Sequence, residues 1–314
     1  MLAVRILQEQ GIEVDALNVR TLFESCEARA AKAAVDLGVR LTVRSVADDY
    51  LDVIRRPTYG YGKAVNPCVD CRLYMGRMAK THMEEVGACV VASGEVLGQR
   101  PMSQQRWQVE AIERESGLEG RLLRPLSAKL LPPTIPEREG LIDREKLYGF
   151  NGRGRRKVIA LAHRLGLPEI PQPSTGCPLT QVTFAPRVRD LMEFDPAAAR
   201  WDFELLNVAR HFRLDERTKA VVGRNQEENA VLGEFSRRPD ARPAALLHPE
   251  NFLGPDVLLV GPVTDEAIEL AAGLILRYAR RFDPDDARVR VTRSGSSRVV
   301  RARESEAART APLL

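Results

Sequence analysis

The sequence predicts an α/β protein: a doubly wound parallel sheet in the first part of the chain, followed by a smaller α+β domain. Three observations carry this. Amphipathic helices alternate with short apolar strands from residue 1 onwards. The run Ala88-Cys89-Val90-Val91-Ala92 is apolar throughout, as a strand buried on both faces requires. Beyond Asp195 the pattern changes to several short strands separated by a few helices. A length of 314 residues allows two domains with a connecting segment, and a hydrophobic content of 44% suffices for real cores.

Taken in order, residues 1–10 read as a helix stopped by Gly11, and 12–19 as a strand built on Val14, Ala16, Leu17 and Val19. An alanine-rich helix over 27–37 ends at Gly38, and 40–46 is the next strand. Leu73, Met75, Met78, His82, Met83 and Val86 recur at helical spacing after Cys71, and 107–117 is a further helix. The proline-rich stretch 131–136 marks a boundary. The expected divisions are an α/β domain over 1–130, a helical connector over 131–192, an α+β domain over 195–300 and a disordered tail over 301–314. The connector reads as helical over 141–167, broken at 149–154. The last domain holds strands near 218–222, 244–247, 257–260 and 287–292, with helices over 226–235 and 265–281.

Composition narrows the function classes. No run approaches the ~18 apolar residues of a membrane-spanning helix, and the N-terminus lacks the basic, apolar and small-residue order of a signal peptide. The expectation is a cytoplasmic protein with no membrane partner. There, five cysteines in a long chain read as ligands or catalysts rather than disulfides. A formal net charge of +4 is compatible with nucleic-acid binding without demanding it.

The chemistry concentrates on Asn66-Pro67-Cys68-Val69-Asp70-Cys71. Pro67 disfavours helix upstream, so the two thiols fall where a helix dipole and free N–H groups favour thiolate. Cys177 lies in a Pro- and Gly-rich turn, PQPSTGCPLT. Three cysteines leave a tetrahedral zinc one ligand short, and suit an iron–sulfur cluster with an open iron or a persulfide relay. The rival reading of C-x-x-C is two small apolar residues spaced by chance; Cys26 and Cys89 read as structural. Residues 93–104, with Gly94 and Gly98, follow a strand end, where α/β sheets bind ligands; an ordinary glycine loop fits equally. Asn151-Gly152-Arg153-Gly154-Arg155-Arg156-Lys157 sets four cations at a helix start, suited to phosphate or to plain solvation.

The motifs NPCVDC (66–71), ASGEVLGQRPMSQ (92–104), RPLSAKLLPPTIPE (124–137), NGRGRRK (151–157) and STGCPLT (174–180) together resemble the tRNA thiouridine synthases of the PP-loop ATP pyrophosphatase superfamily. The resemblance spans residues 1–190. It implies ATP-dependent tRNA thiolation: a uridine carbonyl oxygen is adenylated and replaced by sulfur. Gly94, Gln99, Arg100 and Ser103 would lie near ATP, and Mg²⁺ on its phosphates. Cys68, Cys71 and Cys177 would handle sulfur or hold a [4Fe–4S] cluster, with Asp70 as a base, an orienting group or a merely solvated carboxylate. A sulfur donor (a cysteine desulfurase, a carrier protein or sulfide) is implied as partner. The superfamily's Ser-Gly-Gly-x-Asp-Ser loop would directly precede MLAVRILQEQGIEV, so the expectation is that Met1 is internal and about 15–25 residues of strand and loop lie upstream.

Downstream, KAVVGRNQEEN (219–229) resembles the RNA-binding domain of NFACT proteins. This implies tRNA contacts, mostly to phosphates, through Arg210, Arg213, Lys219 and Arg224, alongside Arg153, Arg155, Arg156 and Lys157. A structural or dimerising module is the alternative, and a homodimer stays open. Two further functions stay open for the whole chain: a non-catalytic RNA-binding or regulatory protein with a degenerate ATP site, and a PP-loop enzyme thiolating a small molecule.

Overall fold

The computed structural model describes residues 1–23, 27–167, 169–170, 176–293 and 295–314. The chain divides into two compact units, Met1–Thr180 and Gln181–Leu314. Residues 131–180, expected as part of a separate connector, pack within the first unit: Ile142, Leu147 and Leu161 share a core with Ile6, Leu7 and Leu123.

The first unit opens with α1 (Leu2–Gln8), β1 (Asp15–Arg20), α2 (Glu27–Leu37) and β2 (Arg40–Ser45), and β1 and β2 pair in parallel. α3 (Tyr50–Arg55) and the long α4 (Cys68–Glu85) follow, then β3 (Val91–Ala92), α5 (Arg106–Glu115) and β4 (Leu122–Leu123). β3 and β4 form a second parallel pair. The short α6 (Ile135–Arg138) and α7 (Arg156–Arg164) complete the unit. The expected doubly wound sheet is therefore corrected. Among the described residues of this unit there are two separate two-stranded parallel sheets. The apolar run 88–92 supplies only the two residues of β3, and Cys89 is exposed rather than packed in a core. An apolar run tells of burial only when neighbouring strands cover it.

The second unit comprises α8 (Ala185–Phe194), α9 (Arg200–Leu205), β5 (Arg210–Arg213), β6 (Lys219–Val222), α10 (Gln226–Arg237), β7 (Ala244–Pro249), β8 (Val257–Val260), α11 (Asp265–Tyr278), β9 (Arg288–Arg293), β10 (Ser296–Arg301) and α12 (Glu306–Thr310). Its six strands make one antiparallel sheet in the order β10-β9-β7-β8-β6-β5. Side chains alternate between two cores. Ala220, Val222, Leu247, Val257 and Leu259 meet Ala271, Leu274 and Ile275 of α11, while Val221 and Leu258 meet Trp201, Leu205, Leu232 and Phe235 of α9 and α10. Helices on both faces explain why β8 reads VLLV, with no polar position to spare.

The tail is ordered, against expectation. Ala308 of α12 is buried against Gly273, Leu313 bridges to Phe212, and the backbone N–H of Leu314 donates to the His211 carbonyl at 3.0 Å. Its apolar residues Ala307, Ala308, Ala311, Leu313 and Leu314 are too sparse to show a period, yet seat a short helix. No helix among the described residues is long and apolar enough to cross a membrane.

Candidate functional sites: a thiol cluster and a basic cleft

In the first unit, α4 begins at Cys68 itself, with Pro67 as its cap; the Cys71 N–H donates to the Pro67 carbonyl at 2.8 Å and closes the first turn. Both thiols thus sit in the first turn, at the positive end of an 18-residue helix. Asn66 fixes the approach. Its buried amide donates to Cys68 Sγ at 3.1 Å while its Oδ1 accepts from the Ala64 N–H at 3.3 Å. The Cys71 thiol lies 3.1 Å from the hydroxyl of Tyr50 on α3, a residue only 2% exposed. Cys177 is brought towards them because the Val65 N–H donates to the Leu179 carbonyl at 3.2 Å, tying the 177–180 turn to the segment entering α4.

Burial first, and then Cys71, Cys177 and Cys68, push the Tyr50 phenol well above its ordinary pKa. Tyr50 therefore keeps its proton and donates to Cys71 whenever that thiol ionises. Cys71 contacts this hydroxyl, and Cys177 and Cys68 lie near enough to act on it electrostatically. Asp70 faces away from reaction chemistry: its carboxylate is buried and accepts from the Thr58 and Tyr59 N–H groups at 2.8 and 3.1 Å, which fixes the loop before the cluster. Among the described residues no group of three or more His, Cys, Asp or Glu side chains is arranged to hold a metal ion. Three thiols are a suitable donor set for a cluster. Cys26, and the Pro171–Thr175 part of the Cys177 turn, lie outside the described residues.

The predicted ATP loop abuts the basic 151–157 segment. Leu97 bridges to Asn151, and the Gly152 N–H donates to the Leu97 carbonyl at 2.8 Å. Gly98 adopts φ +71°, and a Cβ there would sit 2.8 Å from the Asn151 amide oxygen, so glycine is required for the approach. Arg124 anchors the loop from below: almost fully buried, it donates to Glu95 and Glu113, each at 3.1 Å. Gly94 and Arg100 are exposed on this loop, Gln99 is half-buried, and Ser103 is buried with its N–H on the Arg100 carbonyl. Arg153, Arg155, Arg156 and Lys157 make no ion pair among the described residues, although the last three crowd the positive end of α7. That arrangement is unfavourable without an anion nearby.

The predicted RNA-contacting cations of the second unit, Arg210, Arg213, Lys219 and Arg224, each have a partner within the fold. Register sets Arg213 directly opposite Lys219, a repulsive pair, and Asp190 of α8 neutralises both. Arg213 donates bidentately to Asp190 at 2.9 and 2.6 Å, and Lys219 Nζ lies 3.4 Å away. Burial, only partly offset by Asp190, lowers the Lys219 pKa to about 8. Arg224 is held by Glu228 one helical turn on, and Arg210 lies over the Tyr278 ring at 4.6 Å. The GRNQEEN motif is a strand-to-helix junction, in which Asn225 caps α10 by accepting from the Glu228 N–H.

What the second unit offers instead is a cleft of about 510 Å³ between β5–β6 and the helices α8 and α9. Arg217 and Arg293 line its rim, exposed and without a carboxylate partner among the described residues. Arg242 lines it too, paired with Asp195 and Asp202 at 2.5 and 3.4 Å. With Asp190 included, the walls carry two more cations than carboxylates. Gly261, at φ +107°, closes one side; a Cβ there would lie 2.2 Å from the Arg217 carbonyl oxygen. Sequence reading missed Arg217, Arg242 and Arg293 because they come from three separate segments with no shared spacing.

The strand and arginine walls of this cleft fall in the part of the chain that matches a known family, while its α8 and α9 walls precede it. Residues 209–310 match the NFACT protein RNA binding domain. That is 102 of the 314 residues, and it supports an RNA-binding role for the second unit and an RNA partner for the chain. Among solved structures, the C-terminal of the fibronectin/fibrinogen-binding protein from Streptococcus suis is similar at 14% identity, over 76% of this chain and 91% of that one. Its TM-score is 0.26, too low to bear on the fold. No curated protein gives a significant match. The thiouridine-synthase resemblance thus rests on the motifs of the first unit alone.

Proposed function

We propose that this chain is an RNA-binding protein that holds RNA on its second unit and directs thiol chemistry at that RNA from its first. The observation that carries the first half is the RNA-binding-domain match over 209–310 on a unit with a cation-excess cleft. Free Arg217 and Arg293 suit phosphate oxygens, which they would take up with release of counterions. The test is binding of total tRNA by fluorescence anisotropy across a salt series. Saturable binding that weakens linearly in log salt is expected; no binding at ~50 mM salt would refute it.

A second, finer reading is ATP-dependent tRNA thiolation. What favours it is the placement of Cys68 and Cys71 in the first turn of α4, with Tyr50 on Cys71 Sγ and Cys177 near enough to act on the same hydroxyl. ATP, with Mg²⁺, would supply activation of the uridine oxygen, and the 94–103 loop with the neighbouring Arg153 and Lys157 would receive it. The chain's own part would be a sulfur relay. One cysteine takes sulfane sulfur from a donor persulfide, and its terminal sulfur displaces AMP from the activated carbon. A second cysteine breaks the remaining S–S bond, leaving a disulfide for a thiol reductant. Asn66 and Tyr50 stand beside Cys68 and Cys71 Sγ. No step is assigned to a cluster. Thiouridine content of tRNA incubated with the protein, ATP and a sulfur donor tests this reading, together with iron and acid-labile sulfide after anaerobic purification. Thiouridine formed by wild type and lost in Cys68→Ala, Cys71→Ala and Cys177→Ala is expected. Equal, background levels in all four would reject it and leave a non-catalytic RNA-binding protein.

A further inference from the structure

His211 stands at the floor of the cleft on β5, fully buried. Its Nε2 lies 2.8 Å from the Val208 carbonyl. A carbonyl only accepts, so Nε2 carries the proton and Nδ1 is left as a bare acceptor. That Nδ1 is buried without a hydrogen-bond partner. Leaving such an atom unsatisfied is costly, and native folds leave few of them. The donors nearest to it, Lys219 and Arg213, are held by Asp190 and make no hydrogen bond to it. At the rim, Phe194 closes α8 with its ring 39% exposed and the Arg213 guanidinium 4.8 Å from its centroid. A flat stacking surface, a recessed acceptor and two free guanidiniums therefore share one cleft.

We infer that the cleft takes a single splayed-out nucleotide of single-stranded RNA: base against Phe194 and Arg213, a base N–H donating to His211 Nδ1, and flanking phosphates on Arg217 and Arg293. This inference rests on the RNA-binding reading and narrows it. A duplex hides its base edges and faces, so only an unpaired base reaches an acceptor at the floor. The cleft's volume is within the ~300–1,000 Å³ of pockets that hold small ligands. The site lies wholly within Gln181–Leu314.

The test uses the full chain and two fluorescent probes of matched length, an unstructured mixed-sequence RNA 12-mer and an RNA duplex, at fixed salt. Wild type is expected to bind the single strand about tenfold or more tightly than the duplex, since stacking of one base alone reaches that magnitude. Phe194→Ala, at a half-exposed helix end, should abolish the preference and leave duplex binding unchanged. Arg217→Ala with Arg293→Ala should flatten the log–log salt slope for the single strand by about 1.4. In ¹⁵N-labelled wild type, the unprotonated His211 ring nitrogen should shift on adding the single strand and stay in place with the duplex. Equal affinity for the two probes, a preference that survives Phe194→Ala, or a silent His211 resonance would each overturn the pocket while RNA binding stands. Failure of wild type to bind either probe would overturn both.

Discussion

Tyr50 and His211 are both buried polar side chains, and they set opposite tasks for the groups beside them. Tyr50 holds a proton that it can lend to Cys71 Sγ at 3.1 Å. Tyr50→Phe removes a donor to the thiolate, so the pH at which Cys71 becomes half-reactive to iodoacetamide should rise by about one unit, the equivalent of a ~1.4 kcal/mol hydrogen bond to a charged sulfur. An unchanged alkylation profile, followed by mass spectrometry of the Cys71 peptide, would show that the phenol does nothing for the thiol. His211 works the other way. Burial first, then Lys219 and Arg187, holds its pKa well below the ordinary 6.5. The unfolded chain takes up a proton near 6.5 and the folded chain does not, so the stability of the second unit falls as pH drops below that value. Between pH 7.5 and 5.5 the loss is about 1.4 kcal/mol for this one group. Urea unfolding followed by Trp201, in a Trp107→Phe background, should show that loss, and His211→Gln should remove most of it.

At the level of elements, the buried trio on α8, β5 and β6 decides more than any single strand. Asp190 neutralises two cations that register forces together, with side chains no more than 16% exposed. Asp190→Ala should destabilise the second unit by about 3–5 kcal/mol, because it strands buried charge. Arg224→Ala breaks an exposed i,i+4 pair and should cost under about 1 kcal/mol. Equal losses in urea titrations of the two variants would mean that Asp190 is no keystone of this trio. The same elements show what was legible in the sequence. The bounds 27–37 for α2 and 257–260 for β8 follow from glycine stops and an apolar run, both local signals. The pairing of Arg213 with Lys219, and of both with Asp190, depends on register and on a helix nearly thirty residues upstream of Lys219. The four cations that read as RNA contacts each have a partner within the fold, and Arg217 and Arg293, without a carboxylate partner among the described residues, lie where no motif points.

For the whole molecule, each unit has its own cores, so ligand binding to one should be visible as stabilisation of that one. The motif-based reading expected one continuous parallel sheet to organise the first unit. Helix–strand alternation was real, but it specifies neighbours, not how many strands join, and two parallel pairs satisfy it as well. Each unit also carries one tryptophan. Trp107 sits 5.9 Å from Tyr59 in the first, and Trp201 is buried in the second with its Nε1–H on the Phe235 carbonyl at 3.1 Å. Single-tryptophan variants, Trp107→Phe and Trp201→Phe, therefore report the two unfolding transitions separately. RNA at a hundred times its Kd should stabilise the Trp201-reported transition by about 2.7 kcal/mol if it binds the native second unit alone. The Trp107-reported transition should stay in place under the same conditions. A shift confined to Trp107 would put the RNA on the thiol-bearing unit. Equal shifts in both would mean that the RNA engages both units.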